Sequence, residues 1–200
     1  TAFESDKGRA LLTYLAVEAA QAHARSALTA LLWPDYTETS ARGSLRQALY
    51  QLRQVIGDDA SASPYLLITR QTLQFNWDAP CQCDVTLFGD LLHRCANHAH
   101  AQLAQCPTCL ALLRQAVELY QGEFLAGFAI ADSAPFEEWR RSKQEQFHLQ
   151  ALAALTTLAD ADEAAGAWAQ AQHYTRRQLT LEPWREDAHR QLMRLLAREG

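Results

Sequence analysis

The chain has 200 residues, 48% of them hydrophobic and 20% charged, with five tryptophans and a net charge of −5. That is enough apolar material for one large core or two small ones, and the mixed charges exclude an intrinsically disordered segment. No apolar run reaches the ~18 residues of a membrane-crossing helix, and Thr1 to Gly8 lack a basic-then-apolar leader pattern.

These features predict a cytoplasmic protein with reduced thiols. Helical periodicity begins almost at once without an initiator methionine, so the chain reads as a piece of a longer protein. The net acidity argues mildly against nucleic acid as a partner. The distribution of charge argues the other way in one place: between Thr39 and Gly57 stand Arg42, Arg46 and Arg53 and no acid. Such a stripe either docks on phosphate or is an ordinary solvated helix face.

In chain order, Lys7 to Ala20 reads as a helix with Leu11, Leu12, Leu15 and Ala16 on one side. Ser26 is placed to cap a short second helix carrying Leu28, Leu31 and Leu32, stopped at Trp33-Pro34. After the polar stretch Asp35 to Thr39 comes a longer helix, around 39–56, with Leu45, Ala48, Leu49, Leu52, Val55 and Ile56 inward and Gly57 as its stop. Asp58 to Pro64 is turn-like. Tyr65 to Thr69 and Thr72 to Trp77 read as two strands, and Arg70-Gln71 has the length of a two-residue hairpin without its usual Gly or Asn. Helix, helix, long helix and hairpin is the order of a winged helix-turn-helix, which sets its third helix in the DNA major groove and its hairpin near the backbone.

From Cys83 onward the chain reads as almost wholly helical. Asp84 is placed to cap a helix with Val85, Phe88, Leu91 and Leu92, and Cys106-Pro107 opens another with proline at its first position. Gly122 and Gly127 interrupt the chain. Helices are expected over 135–161, 166–181 and 184–198. Gly166, Trp168, Ala171, Leu179 and Pro183 fall near tetratricopeptide spacing, with a generic helical bundle as the alternative.

Five cysteines require an account. Cys95-x-x-His98 and Cys106-x-x-Cys109 form two ligand pairs with seven residues between His98 and Cys106. Two such pairs fit one structural zinc ion, with His100 or His93 as alternates for the imidazole position. Two other readings stay open. Cys95 and Cys109 share faces with Phe88, Leu91 and Leu113 and could be buried apolar residues, or Cys106 and Cys109 could be a redox pair. Cys81 and Cys83 read as ordinary thiols.

Three separated motifs carry a family resemblance. Leu31-Leu32-Trp33-Pro34-Asp35, Ala41 to Leu49 (ARGSLRQAL) and Leu52-Arg53 resemble the DNA-binding domain of SARP-type bacterial regulators. Tyr120 to Phe128 (YQGEFLAGF), Phe136-Glu137-Glu138-Trp139 and Glu182 to His189 (EPWREDAH) resemble the bacterial transcriptional activator domain that follows it. The resemblance spans nearly the whole chain. It implies a mainly α architecture: a winged helix over 1–79, lacking the strands that usually precede its first helix, and tetratricopeptide-like helices over 80–200. It also implies binding to promoter DNA and recruitment of RNA polymerase or another protein through the helical half.

On the long helix, the face opposite Leu45, Leu49 and Leu52 carries Arg42, Arg46, Gln47, Tyr50, Arg53 and Gln54, of which Arg42, Arg46, Gln47 and Tyr50 are the expected groove contacts. Arginine can grip guanine O6 and N7, and glutamine adenine N6 and N7, while some of these residues must fall on phosphate instead. Arg70 at the hairpin tip is the expected wing contact. So few basic residues suggest two copies on adjacent sites, as a homodimer on DNA.

Two other functions compete with a DNA-reading activator. One is a protein-interaction scaffold built on the helical half. The other is an enzyme, for which the sequence has no phosphate loop, nucleophile elbow or His-Glu-x-x-His. Asp160, Asp162 and Glu163 read as solvated loop acids rather than an acidic metal site.

Overall fold

The computed structural model describes residues 3, 5–58 and 63–198. The chain divides into two compact units, Thr1–Gln82 with Leu125–Lys143, and Cys83–Phe124 with Gln144–Gly200.

The first unit begins with α1 (Asp6–Val17), capped by Ser5, whose hydroxyl accepts from the Gly8 N–H at 3.2 Å. The predicted start at Lys7 is thus one residue late. A two-residue strand, β1 (His23–Ala24), leads into α2 (Arg25–Leu32). Ser26 does not cap α2: Ala24 holds the cap position without a side-chain bond, and Ser26 lies in the first turn, where its carbonyl accepts from the Thr29 hydroxyl.

The third helix, α3 (Glu38–Ile56), starts at Thr37, whose Oγ1 accepts from the Ser40 N–H at 3.4 Å. It ends at Gly57, whose φ of 70° is the left-handed conformation that glycine adopts without a Cβ clash. Of the turn expected over Asp58–Pro64, residues 59–62 lie outside the described residues.

The hairpin consists of β2 (Leu66–Ile68) and β3 (Thr72–Phe75), shorter than expected at both outer ends. The sheet runs β1-β3-β2, all antiparallel, with His23 opposite Leu73 and Leu66 opposite Phe75. β1 escaped the sequence reading because two residues carry no alternation. It exists because β3 offers it an edge, and the bond from the Arg25 N–H to the Gln71 carbonyl at 2.9 Å continues the pairing.

Leu11, Leu15, Leu28, Leu32, Leu45, Leu52 and Leu73 are fully buried in this unit. Each such side chain contributes about 1.5–3 kcal/mol of transfer free energy. Phe136 is buried among them, with Ile130, and Leu125, Phe128 and Trp139 pack against the same cluster. Residues 125–143 thus complete the first core although they lie far from the rest of it in sequence.

The second unit contains α4 (Asp84–Ala96), α5 (Pro107–Leu119), the latter part of α6 (Ala134–Ala164), α7 (Trp168–Leu181) and α8 (Glu186–Leu196). Pro107 is the first residue of α5, as its missing N–H favours. Asp84 sits one position inside α4 instead of at its cap. Cys83 takes that place, and the Asp84 carboxylate accepts from the Val85 N–H at 2.8 Å.

Buried alanines at 151, 154, 159, 161, 171 and 188 let these helices approach closely, as in tetratricopeptide-like packing. Gly166, with φ of 76°, makes the turn between α6 and α7. The acids near it lie in the last turns of α6 and not in a loop, with Asp160 alone exposed. Asp162 is buried inside α6 and pairs with Arg114 at 2.7 Å, while Asp160 and Glu163 accept from the Gln191 amide at 2.8 and 2.9 Å. Among the described residues, no helix is long and apolar enough to cross a membrane.

Candidate nucleic-acid interface and metal centre

α3 buries Ala41, Leu45, Ala48, Leu49 and Leu52 and turns Arg42, Arg46, Gln47 and Tyr50 outward. Tyr50 is 65% exposed, unusual for an aromatic residue in the middle of an amphipathic helix. The six expected contact residues are not equivalent. Arg42 forms an ion pair with Glu38 one turn earlier, at 2.5 Å. Arg53 is half-buried and faces the buried Asp58 carboxylate at 3.6 Å. That carboxylate also accepts from the Tyr65 N–H at 2.5 Å, so Arg53 lies at the junction of α3 with the hairpin. Gln47 lines an open hollow with Ser44, Gln51, Lys7, Trp33 and the segment 129–132.

Arg70 stands exposed at the hairpin tip. The loop needs no glycine because Thr69 organises it. Its Oγ1 accepts from the N–H groups of Gln71 at 3.1 Å and Thr72 at 2.8 Å, while its own N–H reaches the Thr72 carbonyl at 3.0 Å. Arg25 donates two guanidinium bonds to the Thr69 carbonyl, at 3.2 and 3.1 Å, and so ties α2 to the hairpin. Neither Thr69 nor Arg25 was singled out from the sequence. The absent Gly at this turn was the available signal that a side chain must do its work.

The segment 97–106 between α4 and α5 gathers His98, His100, Cys106 and Cys109, with one ligand atom from each lying within 4.8 Å of the others. The His98 Nδ1 atom lies 3.5 Å from both Cys106 Sγ and Cys109 Sγ, and His100 Nδ1 lies 3.5 Å from Cys109 Sγ. The two rings are stacked at 6.0 Å. These four side chains could hold a metal ion. The sequence pairs nominated Cys95, His98, Cys106 and Cys109; the structure gathers the alternate His100 with three of them, and Cys95 falls outside the group. Cys95 is buried on α4, with Phe88 and Leu91 also on its buried face. His93 is turned to Asn97, at 2.8 Å.

Cys106 occupies the cap position of α5. The backbone N–H of Cys109 holds its thiol below the ordinary range; burial opposes this, and the Thr108 N–H reinforces it. Cys109 behaves oppositely. Burial first, then the neighbouring thiols of Cys95 and Cys106, push it up to about 12. Cys81 and Cys83 are partly buried and are not joined in a disulfide.

One unit has the elements of a helix-turn-helix with a hairpin wing, and the other is made of paired helices. The fold is similar to that of a solved structure described as Mycobacterium tuberculosis EmbR in complex with low affinity phosphopeptide, with a TM-score of 0.67 and 20% sequence identity over 98% of this chain. The chain spans about half of that one, 49%. Residues 83–200 match the bacterial transcriptional activator domain, and the chain belongs to that family of transcriptional regulators. No curated protein matches it.

The family motifs have structural work in these units. In Phe136-Glu137-Glu138-Trp139, Phe136 fills the first core. Glu137 accepts from the Ile130 N–H and from Arg140, both at 2.8 Å. In Glu182 to His189, Glu182 faces His148 at 3.2 Å, Arg185 pairs with Asp187 at 2.8 Å, and His189 Nε2 meets the Pro183 carbonyl at 2.7 Å.

Proposed function

We propose that this chain is the DNA-reading and activating part of a sequence-specific transcriptional activator that works in the cytoplasm and has no catalytic site. The observation that carries this reading is the outward face of α3, where Arg46, Gln47 and Tyr50 project from a helix anchored on its other side by five buried residues. A helix so anchored can present side chains to base edges in the major groove at little further entropic cost. Arg42 and Arg70 flank that face and would meet phosphates, and Arg53 would support the end of the helix beside the hairpin.

In this reading residues 1–79 bind double-stranded promoter DNA, as two copies on adjacent sites. Residues 80–200 engage RNA polymerase or another protein. One zinc ion at the His/Cys cluster is a structural cofactor. A second reading, a pure interaction module, draws on the second unit, where Trp184 is 80% exposed and Met193 68% exposed.

The test is selection of this chain's targets from random duplexes at low and moderate salt, followed by sequencing. An enriched repeated motif whose binding weakens steeply with salt supports the activator. Folded protein with no enrichment at either salt favours the interaction module.

A further inference from the structure

We propose that His98, His100, Cys106 and Cys109 form a closed tetrahedral zinc site, with both imidazoles bonding through Nδ1, that fastens the segment 97–106 to the start of α5. This rests on the zinc part of the proposed function and is independent of its DNA part.

Three observations converge. The first is metric. Zinc bonds of ~2.3 Å to sulfur and ~2.0–2.1 Å to nitrogen, at a tetrahedral angle, separate N from S by about 3.5–3.6 Å. Three of the four N···S separations in the cluster are 3.5 Å, the spacing such a centre requires, and all four ligand atoms lie within 4.8 Å of one another.

The second is proton accounting. Cys109 Sγ is completely buried, donates to the Cys95 carbonyl at 3.7 Å, and has His98 Nδ1 and His100 Nδ1 each 3.5 Å away. Its single proton, given to the carbonyl, is not available to either imidazole. A thiolate and two neutral imidazoles around a cation satisfy both nitrogens and the sulfur together.

The third is local structure. Between the end of α4 and the start of α5, the chain makes one tight turn, Leu103–Gln105, as its only regular element. Ten residues, 97–106, therefore have little backbone reason of their own to bring two histidines onto two cysteines. Four bonds to one ion supply that reason, because metal binding then carries folding free energy for the loop.

The donor set selects the metal. Two thiolates and two imidazoles in tetrahedral array suit Zn²⁺, and hard oxygen-seeking cations such as Mg²⁺ and Ca²⁺ find no carboxylate in the group. Four protein ligands leave no open position for substrate, so the ion is structural. Cys95 is not among the four because its sulfur lies outside the group of ligand atoms within 4.8 Å of one another, although it neighbours Cys109.

The experiment uses the whole chain purified without chelator. Elemental analysis should find one zinc per chain. Replacement by Co²⁺ should give the intense visible absorption of a tetrahedral centre with a thiolate charge-transfer band. His100→Ala and Cys106→Ser should each weaken zinc binding by ~100-fold or more. Both positions are accessible enough to keep the test usable where the buried Cys109→Ser does not fold. Cys95→Ala and His93→Gln should keep one zinc per chain.

Zinc retained by His100→Ala but lost by Cys95→Ala would overturn this ligand set while leaving a zinc cofactor in place. A folded wild-type chain with neither zinc nor a cobalt spectrum would overturn the zinc reading as well. Enrichment of a duplex motif is scored separately and bears on neither result.

Discussion

Trp139 donates its indole N–H to Glu18 Oε1 at 2.8 Å, joining the first turns of α6 to the end of α1 across 121 residues of sequence. Lys143 reaches the same oxygen at 2.8 Å. Burial raises the Glu18 carboxyl, but the bonds from Lys143 and Trp139 outweigh it and hold the group below the usual carboxylate range. A group depressed in the folded state contributes stability that is present above its unfolded pKa and is lost as pH falls through the folded value. Wild-type stability in urea should therefore decline below about pH 4.5, and Glu18→Gln should flatten that part of the decline. Trp139→Phe, which keeps a ring but loses the donor, should cost about 1–3 kcal/mol at neutral pH. An unchanged urea midpoint in Trp139→Phe would remove the bond from the account of stability.

Arg46 is the sharpest test of the proposal that α3 reads DNA. Arg46→Ala should lower affinity for a selected duplex by about 1–3 kcal/mol and relax preference at one base position. Fluorescence anisotropy on the selected duplex and on single-base variants reads both effects. An equal loss on every sequence would move Arg46 from base to phosphate.

Arg42 carries its own restraint in Glu38, four residues earlier on α3. An exposed pair of this kind is worth little to stability, about 0.3–0.5 kcal/mol. Its effect on binding should be larger in proportion, because Glu38 places a negative charge beside the stripe. Glu38→Gln should tighten binding to any duplex by a few-fold at low salt and much less at high salt, where the charge is screened. Titrations at two ionic strengths check this; tightening that ignores salt would contradict it.

The hairpin depends on one hydroxyl. Thr69→Ala removes the acceptor for two loop N–H groups and should lower stability by about 1–2 kcal/mol, with a matching fall in the melting temperature. Thr69→Ser keeps the oxygen and should recover most of the loss. Failure of serine to recover it would assign the effect to the methyl group.

Gly57→Ala tests the end of α3. The left-handed φ of 70° leaves open space around a Cβ, so the cost is backbone strain alone, about 1 kcal/mol. A stabilised variant in thermal melting would show that the helix end can move to another conformation.

Much of this architecture is local and was therefore legible in residue order. The leucines of α3 recur at helical spacing and Gly57 stops it; Pro107 starts α5; β3 alternates and is joined to β2 by a short turn. Periodicity, caps and turn chemistry act within a few residues of chain. Caps were read less well, since serine at 26 and aspartate at 84 are good cap residues displaced by one or two positions. A cap depends on where the first hydrogen-bonded turn forms, and packing sets that point.

What only the tertiary structure decided is long-range. β1 is a strand because β3 offers it an edge far along the chain, with His23 opposite Leu73. Residues 125–143 join the first core because Phe136 and Ile130 find their apolar surroundings there. Asp160, Asp162 and Glu163 are held by Arg114 and Gln191 because α6 continues to Ala164 instead of ending at 161. In the His/Cys cluster, residue types and spacing pointed to the stretch 95–109, and the structure gathers His100 with His98, Cys106 and Cys109 while Cys95 stays on the buried face of α4. Periodicity is a property of neighbours in sequence, and a ligand set or a shared core is a property of neighbours in space.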